Sequence, residues 1–366
     1  MNDGLTSSIS NLVNNSRFIG ERMNFTSADI LCCAPPLFHC FGLVLGVLAC
    51  FTHGAKVVCP GDTFSPNLIL PALLHEGCTA LHGVPTMFES VLAEAPPTTT
   101  RNKKLRLRTG IIAGAPVPRP LMRRLLNELN MTEFTSSYGL TEASPTCFNA
   151  LTTDTIDCRL TTVGRVMPHA SAKIVDPANP HRTMPVGEKG ELCMSGYQVH
   201  RGYWDNPEKT TETLLSDADG KVWLRTGDEA VFDSNGYCSI TGRYKDIIIR
   251  GGENIYPLEV EERLVVHPKI SRAAIIGAPD HRYGEVVAAF VEIDGDKVVS
   301  ADELRAWTRE RLGRHKTPVY IFACGRHASL PDNIPQTGSG KIQKQKLREL
   351  AKDLVTNGRV QEVMMK

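Results

Sequence analysis

The stretch Pro335-Gln336-Thr337-Gly338-Ser339-Gly340-Lys341 sets an ammonium group at the end of a glycine-flanked loop, about 25 residues before the C-terminus. A lysine so placed can bind phosphate, or it can stabilise negative charge that develops during a reaction. The phosphate-cradling P-loop is excluded, because that motif needs Ser or Thr after its lysine and here Ile342 follows. Taken alone, the stretch is better explained by a solvated surface lysine.

Four other stretches carry groups of chemical interest. Ser136-Ser137-Tyr138-Gly139-Leu140-Thr141-Glu142 offers an aromatic face for a base and a glycine for close backbone approach. A hydroxyl and a carboxylate follow, suited to phosphate and Mg²⁺. Leu224-Arg225-Thr226-Gly227-Asp228 ends a strand with a carboxylate able to accept from both ribose hydroxyls. An Asx-turn would also account for it. Gly242-Arg243 supplies a permanently charged donor fork. Finally, Ile247–Pro257 runs a strand into Gly251-Gly252, whose freedom at positive φ lets a thin ligand arm pass, or simply closes a tight turn.

The elements that must position these groups follow from pattern. Leu12–Met23 reads as a helix tail, followed by apolar strands and turns around Pro35-Pro36 and His53-Gly54. Strands are expected at Cys78–His82, Leu105–Ala113 and Glu133–Ser136, with a helix at Pro120–Leu129. Such alternation argues a parallel, layered sheet. From Thr162 to Ile240 short strands separated by Gly, Pro and Asp turns indicate a β-rich subdomain. A compact α+β unit follows the charged segment Arg243–Asp246. It has strands at Ile247–Ile249, Ala273–Gly277 and Val286–Ile293, and helices at Pro257–Val266 and Ala301–Leu312.

Composition narrows the class. A chain of 366 residues with 42% hydrophobic and 22% charged content has the make-up of a soluble globular protein. The net charge of +1 gives no reason to expect nucleic acid or an anionic membrane as partner. The apolar run Cys40–Phe51 is too short to span a bilayer and reads as core. The 11 cysteines show no metal-ligand spacing. Several, among them Cys50, Cys59 and Cys193, sit beside aliphatic residues as small reduced hydrophobes. Met1 opens on a polar stretch and the chain ends Met-Met-Lys, which is not a peroxisomal tripeptide. The expectation is an intracellular, cytoplasmic location without a structural metal.

In their order, these stretches resemble the adenylate-forming superfamily of acyl-CoA synthetases and luciferase-like enzymes, and within it the medium-chain acyl-CoA synthetases. The resemblance extends over nearly the whole chain. It includes Pro36-Leu37-Phe38-His39-Cys40-Phe41-Gly42, His82-Gly83-Val84-Pro85-Thr86-Met87, Ala113-Gly114-Ala115-Pro116, Gly187-Glu188, Gly190-Glu191-Leu192 and Gly202-Tyr203-Trp204. It implies a layered α/β adenylation domain with a β-rich subdomain over residues 1–243, and a small mobile α+β domain over 244–366. It also implies ATP/AMP, Mg²⁺ and coenzyme A as ligands, and as substrate a carboxylic acid with an apolar acyl chain, with an aryl or specialised acid of secondary metabolism as the alternative.

The implied roles are these. Tyr138 stacks on adenine beside Gly114, Ala115 and Pro116; Thr141 touches the α-phosphate; Glu142 ligates Mg²⁺; and Asp228, with Arg243, holds the ribose. His39, Phe41, His82 and Gly83 border the acyl pocket, Lys245 is the hinge, and Gly251-Gly252 line the pantetheine channel. Lys341 is the catalytic lysine, reaching the substrate carboxylate and the α-phosphate. The sequence departs from the pattern ahead of Asn11-Leu12-Val13-Asn14-Asn15, where residues 1–10 hold no Ser/Thr/Gly-rich phosphate loop, so a truncated form is expected. Gln336 also replaces a residue that is often basic. Two readings stay open: an acyl-CoA ligase, or a non-catalytic remnant that binds nucleotide, acyl or CoA groups or a protein partner.

Overall fold

A computed structural model describes residues 4–94, 105–114, 117–338 and 340–365. The chain divides into two compact units, Met1–Ile240 and Thr241–Lys366.

In the first unit the strand Ile30–Cys33 lies between Lys56–Val58 and Ala80–His82, all parallel. Parallel bridges Ala80↔Thr109 and Gly83↔Ile112 carry the sheet on to Ile111–Ile112, which pairs in parallel with Thr135–Gly139. Thr146–Asn149 and Arg165–Val166 then continue it antiparallel. The layered parallel sheet expected from the strand–helix alternation is therefore present, with an antiparallel extension. The strand expected over Leu105–Ala113 pairs regularly only at Ile111–Ile112. Gly110 lets the segment approach Ala80–His82 closely, since a Cβ there would sit 2.0 Å from the Leu81 carbonyl oxygen.

Helices Ile9–Arg22, Pro66–His75, Pro85–Glu94 and Arg119–Leu129 belong to this unit. Ser8 caps the first by accepting from the Asn11 amide at 3.1 Å, while Asn11 reaches back to the Ser8 amide. Arg119–Leu129 buries Leu121, Leu125 and Leu129, four residues apart on one face. The apolar stretch Cys40–Phe51, read as core, is helical and contributes Phe41, Val44, Leu45, Ala49 and Cys50 to the core. A π-helix, Phe41–Leu48, runs into the α-helix Ala49–His53, which Gly54 ends at φ +67°. The run is apolar on all sides, so no 3.6-residue stripe marks it.

The β-rich subdomain is an antiparallel sheet in the order Asn179–Thr183, Ala170–Asp176, Gly190–Gly196, Val222–Phe232, Leu214–Ser216. Val222–Phe232 is more than twice the length of the Val222–Arg225 strand read from sequence, and carries Asp228 inside it.

The second unit is built on the hairpin Ile270–Asp280 and Gly284–Ile293, to which Tyr320–Ala323 adds in parallel. Alternate residues face opposite sides. Ile275, Val287 and Ala289 pack with Leu264 and Leu304, whereas Ala274, Ile276 and Phe290 pack with Leu347, Ala351 and Leu354 of the helix Lys344–Thr356. Sequence reading missed Tyr320–Ala323, a short buried strand, and Glu253–Ile255. The latter pairs back on Ile248–Arg250 through Gly251-Gly252, both at positive φ (+59° and +88°). The two glycines thus close a two-residue hairpin, a turn that demands φ > 0 at both central positions.

Among the described residues no helix is long and apolar enough to cross a membrane, and no cluster of three or more His, Cys, Asp or Glu side chains could hold a metal. All cysteines are free, but Cys59 is exposed rather than packed as expected.

Candidate active site

Tyr138 and Asp228 come from different sheets, Thr135–Gly139 and Val222–Phe232, and meet. The Tyr138 hydroxyl donates to Asp228 Oδ2 at 2.6 Å. Burial, reinforced by the Asp228 charge, pushes the phenol well above its ordinary range and keeps it a donor. A carboxylate network sets the Asp228 turn. Glu191, 3% exposed, accepts from Arg225 Nε at 2.9 Å and from the Gly227 amide at 3.2 Å. The Thr226 hydroxyl donates to the Leu192 carbonyl at 2.8 Å. With Gly227 at φ +71°, the turn is a β-strand kink held from below rather than a free loop.

After Tyr138 the chain passes Gly139 into the 3₁₀ turn Thr141–Ala143. A Cβ on Gly139 would sit 2.1 Å from the Pro145 carbonyl oxygen. The close approach that this glycine permits is therefore made by the chain's own backbone. Glu142 Oε1 accepts from the Tyr203 hydroxyl at 2.7 Å, and its carbonyl accepts from the His200 amide at 2.9 Å. The His200 ring packs edge-on against Tyr203 at 5.1 Å, and neither ring nitrogen has a hydrogen-bond partner. Burial pulls that imidazole below its usual range, opposed by the Glu142 charge. Sequence reading gave Tyr203 no role beyond the Gly202-Tyr203-Trp204 block and did not single out His200. The signal for both is proximity, since they lie about sixty residues downstream of the group that they support.

The segment His39–Phe41 reaches the same turn. Cys40 Sγ lies 3.9 Å from the Thr141 hydroxyl and 3.9 Å from His39 Nδ1, which also accepts from the Phe41 amide at 3.1 Å. His82 is wholly buried between the rings of Phe25 and Phe41, at 6.2 and 5.9 Å. Its Nε2 donates to the Leu45 carbonyl at 3.0 Å and its Nδ1 accepts from the Ile111 amide at 3.2 Å. Burial holds this imidazole down at about 4, so it is neutral and serves as a packed, hydrogen-bonded core ring rather than a charge. His82 and Gly83 line a narrow crevice with Ala34, Phe64, Met87 and Val91. Gly114 stands at φ +87°, whereas Ala115 and Pro116 lie outside the described residues.

The other candidates belong to the second unit. Arg243 ends the strand Cys238–Arg243, and Lys245 is exposed in the 3₁₀ turn Tyr244–Asp246, where Asp246 pairs with Arg348. Gly251 and Gly252 form the hairpin turn described above. Lys341 follows a loop that closes on itself: its amide donates to Thr337 Oγ1 at 3.1 Å and its carbonyl accepts from the Thr337 amide at 2.8 Å. The Gln336 side-chain amide lies against the Arg272 guanidinium, so a basic residue there would face a like charge.

Residues 4–204 match the family described as AMP-binding enzyme, and residues 259–341 match the AMP-binding enzyme C-terminal domain. The chain is 67% identical over 346 residues to the acyl-CoA ligase SID4 of Ajellomyces capsulatus, spanning 94% of this chain and 58% of that protein. It is 39% identical over 350 residues to the mitochondrial medium-chain acyl-CoA ligase ACSF2 of Mus musculus, spanning 94% and 55%. The chain thus spans little more than half the length of these relatives. Among solved structures, ATP-bound MatB from Rhodopseudomonas palustris superposes with a TM-score of 0.85 at 29% identity, covering 96% of this chain and 66% of that one. The o-succinylbenzoate CoA synthetase MenE of Bacillus subtilis, in complex with the acyl-adenylate OSB-AMP, gives 0.78 at 27% identity, covering 94% and 66%.

Proposed function

We propose, from the premise that this chain belongs to the AMP-binding, adenylate-forming enzymes, that it is an ATP-dependent acid–thiol ligase. In this reading a carboxylate attacks the α-phosphate of ATP and pyrophosphate leaves. A thiol of coenzyme A then attacks the acyl-adenylate and AMP leaves. The observation that carries the reading is the convergence of Tyr138, Asp228, Thr141 and Glu142 from separate elements into one polar, partly buried cluster, with an aromatic face, a carboxylate in hydrogen-bond reach of it, and a hydroxyl–carboxylate pair.

Each group has a task it is chemically suited to. The Tyr138 ring takes the adenine face and Asp228, held by the Glu191–Arg225 network, accepts from the ribose hydroxyls, aided by Arg243. Thr141 donates to the α-phosphate. The oxygen donors Glu142 and Thr141 suit a hard divalent cation that keeps most of its waters, as Mg²⁺ does with one carboxylate and substrate phosphates. Bound there, Mg²⁺ would offset phosphate charge; Tyr203 fixes the carboxylate that would hold it. Phe41 and His39 border the acyl chain in this reading. The crevice beside His82 and Gly83 is closed in this structure and would have to open to admit the chain, and its apolar lining favours an aliphatic acid. Lys341 supplies positive charge where negative charge accumulates on the phosphoryl oxygens. The second step needs that lysine withdrawn and Gly251-Gly252 presented to the pantetheine arm, with Lys245 as pivot.

Incubation with ATP, Mg²⁺, coenzyme A and a series of straight-chain acids, read by mass spectrometry, tests the reading. Acyl-CoA formation that depends on all four components is expected. Neither acyl-CoA nor acyl-AMP from any acid would overturn it.

A further inference from the structure

Both ends of the loop that carries Lys341 are tied to carboxylates of the same unit. Upstream, the Ile334 amide donates to Glu292 Oε1 at 2.6 Å, and that oxygen also faces Arg272 Nη1 at 3.3 Å. Downstream, Lys344 Nζ lies 2.6 Å from Glu261 Oε1, with the two side chains 18% and 11% exposed. The same oxygen accepts from the Ile275 amide at 2.8 Å, so one carboxylate of the helix Pro257–Val265 grips both the central strand and the start of the helix Lys344–Thr356. Between these anchors the loop is self-closed by the Thr337–Lys341 hydrogen bonds and the Gln336↔Ile342 bridge.

Largely buried ion pairs are poor sources of stability compared with packed apolar side chains, but they fix geometry where it matters. A lysine acting on a reacting phosphoryl group needs that fixing. Its four-carbon stem is flexible, and an error of about 1 Å in placing a catalytic group can cost roughly 10²-fold. We propose that Glu261 and Glu292 are positioning residues for Lys341, clamping the two ends of its loop so that the ammonium is delivered in one place. The proposal rests on the reading of Lys341 as the adenylation lysine.

Glu261→Gln keeps the size of the side chain and an acceptor for the Ile275 amide, and removes the charge that Lys344 answers. We expect it to lower kcat of carboxylate-dependent ATP–pyrophosphate exchange by roughly 10- to 100-fold, with KM for ATP and for the acid unchanged. Thioester formation from supplied acyl-adenylate and coenzyme A should stay at the wild-type rate. Glu292→Gln should behave alike, and Glu261→Gln combined with Lys344→Gln, which leaves no unpaired charge at the contact, should lose no more than Glu261→Gln alone. Equal losses in both half-reactions, or a wild-type exchange rate, would overturn the proposal. Should Glu261→Gln not fold, Lys344→Gln tests the same pair from the lysine side. Lys341→Ala serves as reference. If it retains exchange, the reading of Lys341 itself fails; if it abolishes exchange while both glutamine variants remain wild-type, only the clamp fails.

Discussion

The Tyr138 hydroxyl and the Asp228 carboxylate, 2.6 Å apart, work as one polar unit even though ninety residues separate them. If that unit reads the ribose, the chain should bind AMP more tightly than 2′,3′-dideoxy-AMP, by roughly 10- to 100-fold for hydrogen bonds to a charged acceptor. Asp228→Asn should erase most of the difference, as measured by calorimetry; equal weakening for both nucleotides would contradict a ribose contact. His82 makes a different residue-scale statement. Its folded value of about 4 lies below the ordinary histidine value of ~6.5 in the unfolded chain. As pH falls from 6.5 towards 4 the unfolded chain takes up a proton that the folded imidazole refuses, so stability present above 6.5 is lost, by roughly 3 kcal/mol. Urea unfolding should therefore show the wild type's advantage over His82→Gln shrinking between pH 7 and pH 4.5. An advantage constant with pH would contradict this. Tyr138, Thr141, Glu142 and Asp228 could be picked out from sequence because each is a reactive type beside a glycine or a strand end. Tyr203 and Glu191 were not given their supporting roles, since nothing local in the chain reports that a tyrosine will reach a carboxylate far upstream.

At the scale of elements, sequence patterns were most informative where burial is one-sided. The helices Pro257–Val265 and Arg119–Leu129 repeat their apolar residues on one face and lie close to where their sequence places them, whereas the strands Ile270–Asp280 and Gly284–Ile293, buried on both faces, are marked by continuous apolar runs. Phe41–His53 was not legible, because an apolar run on every side has the same composition as a buried strand. The pair Gly251-Gly252 suggested a special turn correctly, but a helix-bound loop and a hairpin need the same glycines and only the Glu253–Ile255 pairing separates them. The 3₁₀ turn Tyr244–Asp246 is short, and Lys245 is its exposed residue. If this turn is the pivot, Lys245→Pro, which fixes φ near −65°, should restrict it. Thioester formation from acyl-adenylate should then fall at least 10-fold more than pyrophosphate exchange does. Parallel losses in the two half-reactions would argue that the turn is only a connector.

On the scale of the whole molecule, the two units divide the chemistry. The first holds the aromatic, hydroxyl and carboxylate groups suited to nucleotide and acid; the second holds the lysine and its clamps. That division fits the proposed acid-activating ligase, in which the first chemical step is given to Lys341. The direct test is carboxylate-dependent ATP–pyrophosphate exchange, run with acids of increasing chain length on the wild type and on Lys341→Ala. Acid-dependent exchange that falls by roughly 10²- to 10³-fold in the variant is the predicted result, as for loss of one preorganised charge in a transition state. AMP binding without exchange from any acid, or exchange that survives the substitution, would contradict it.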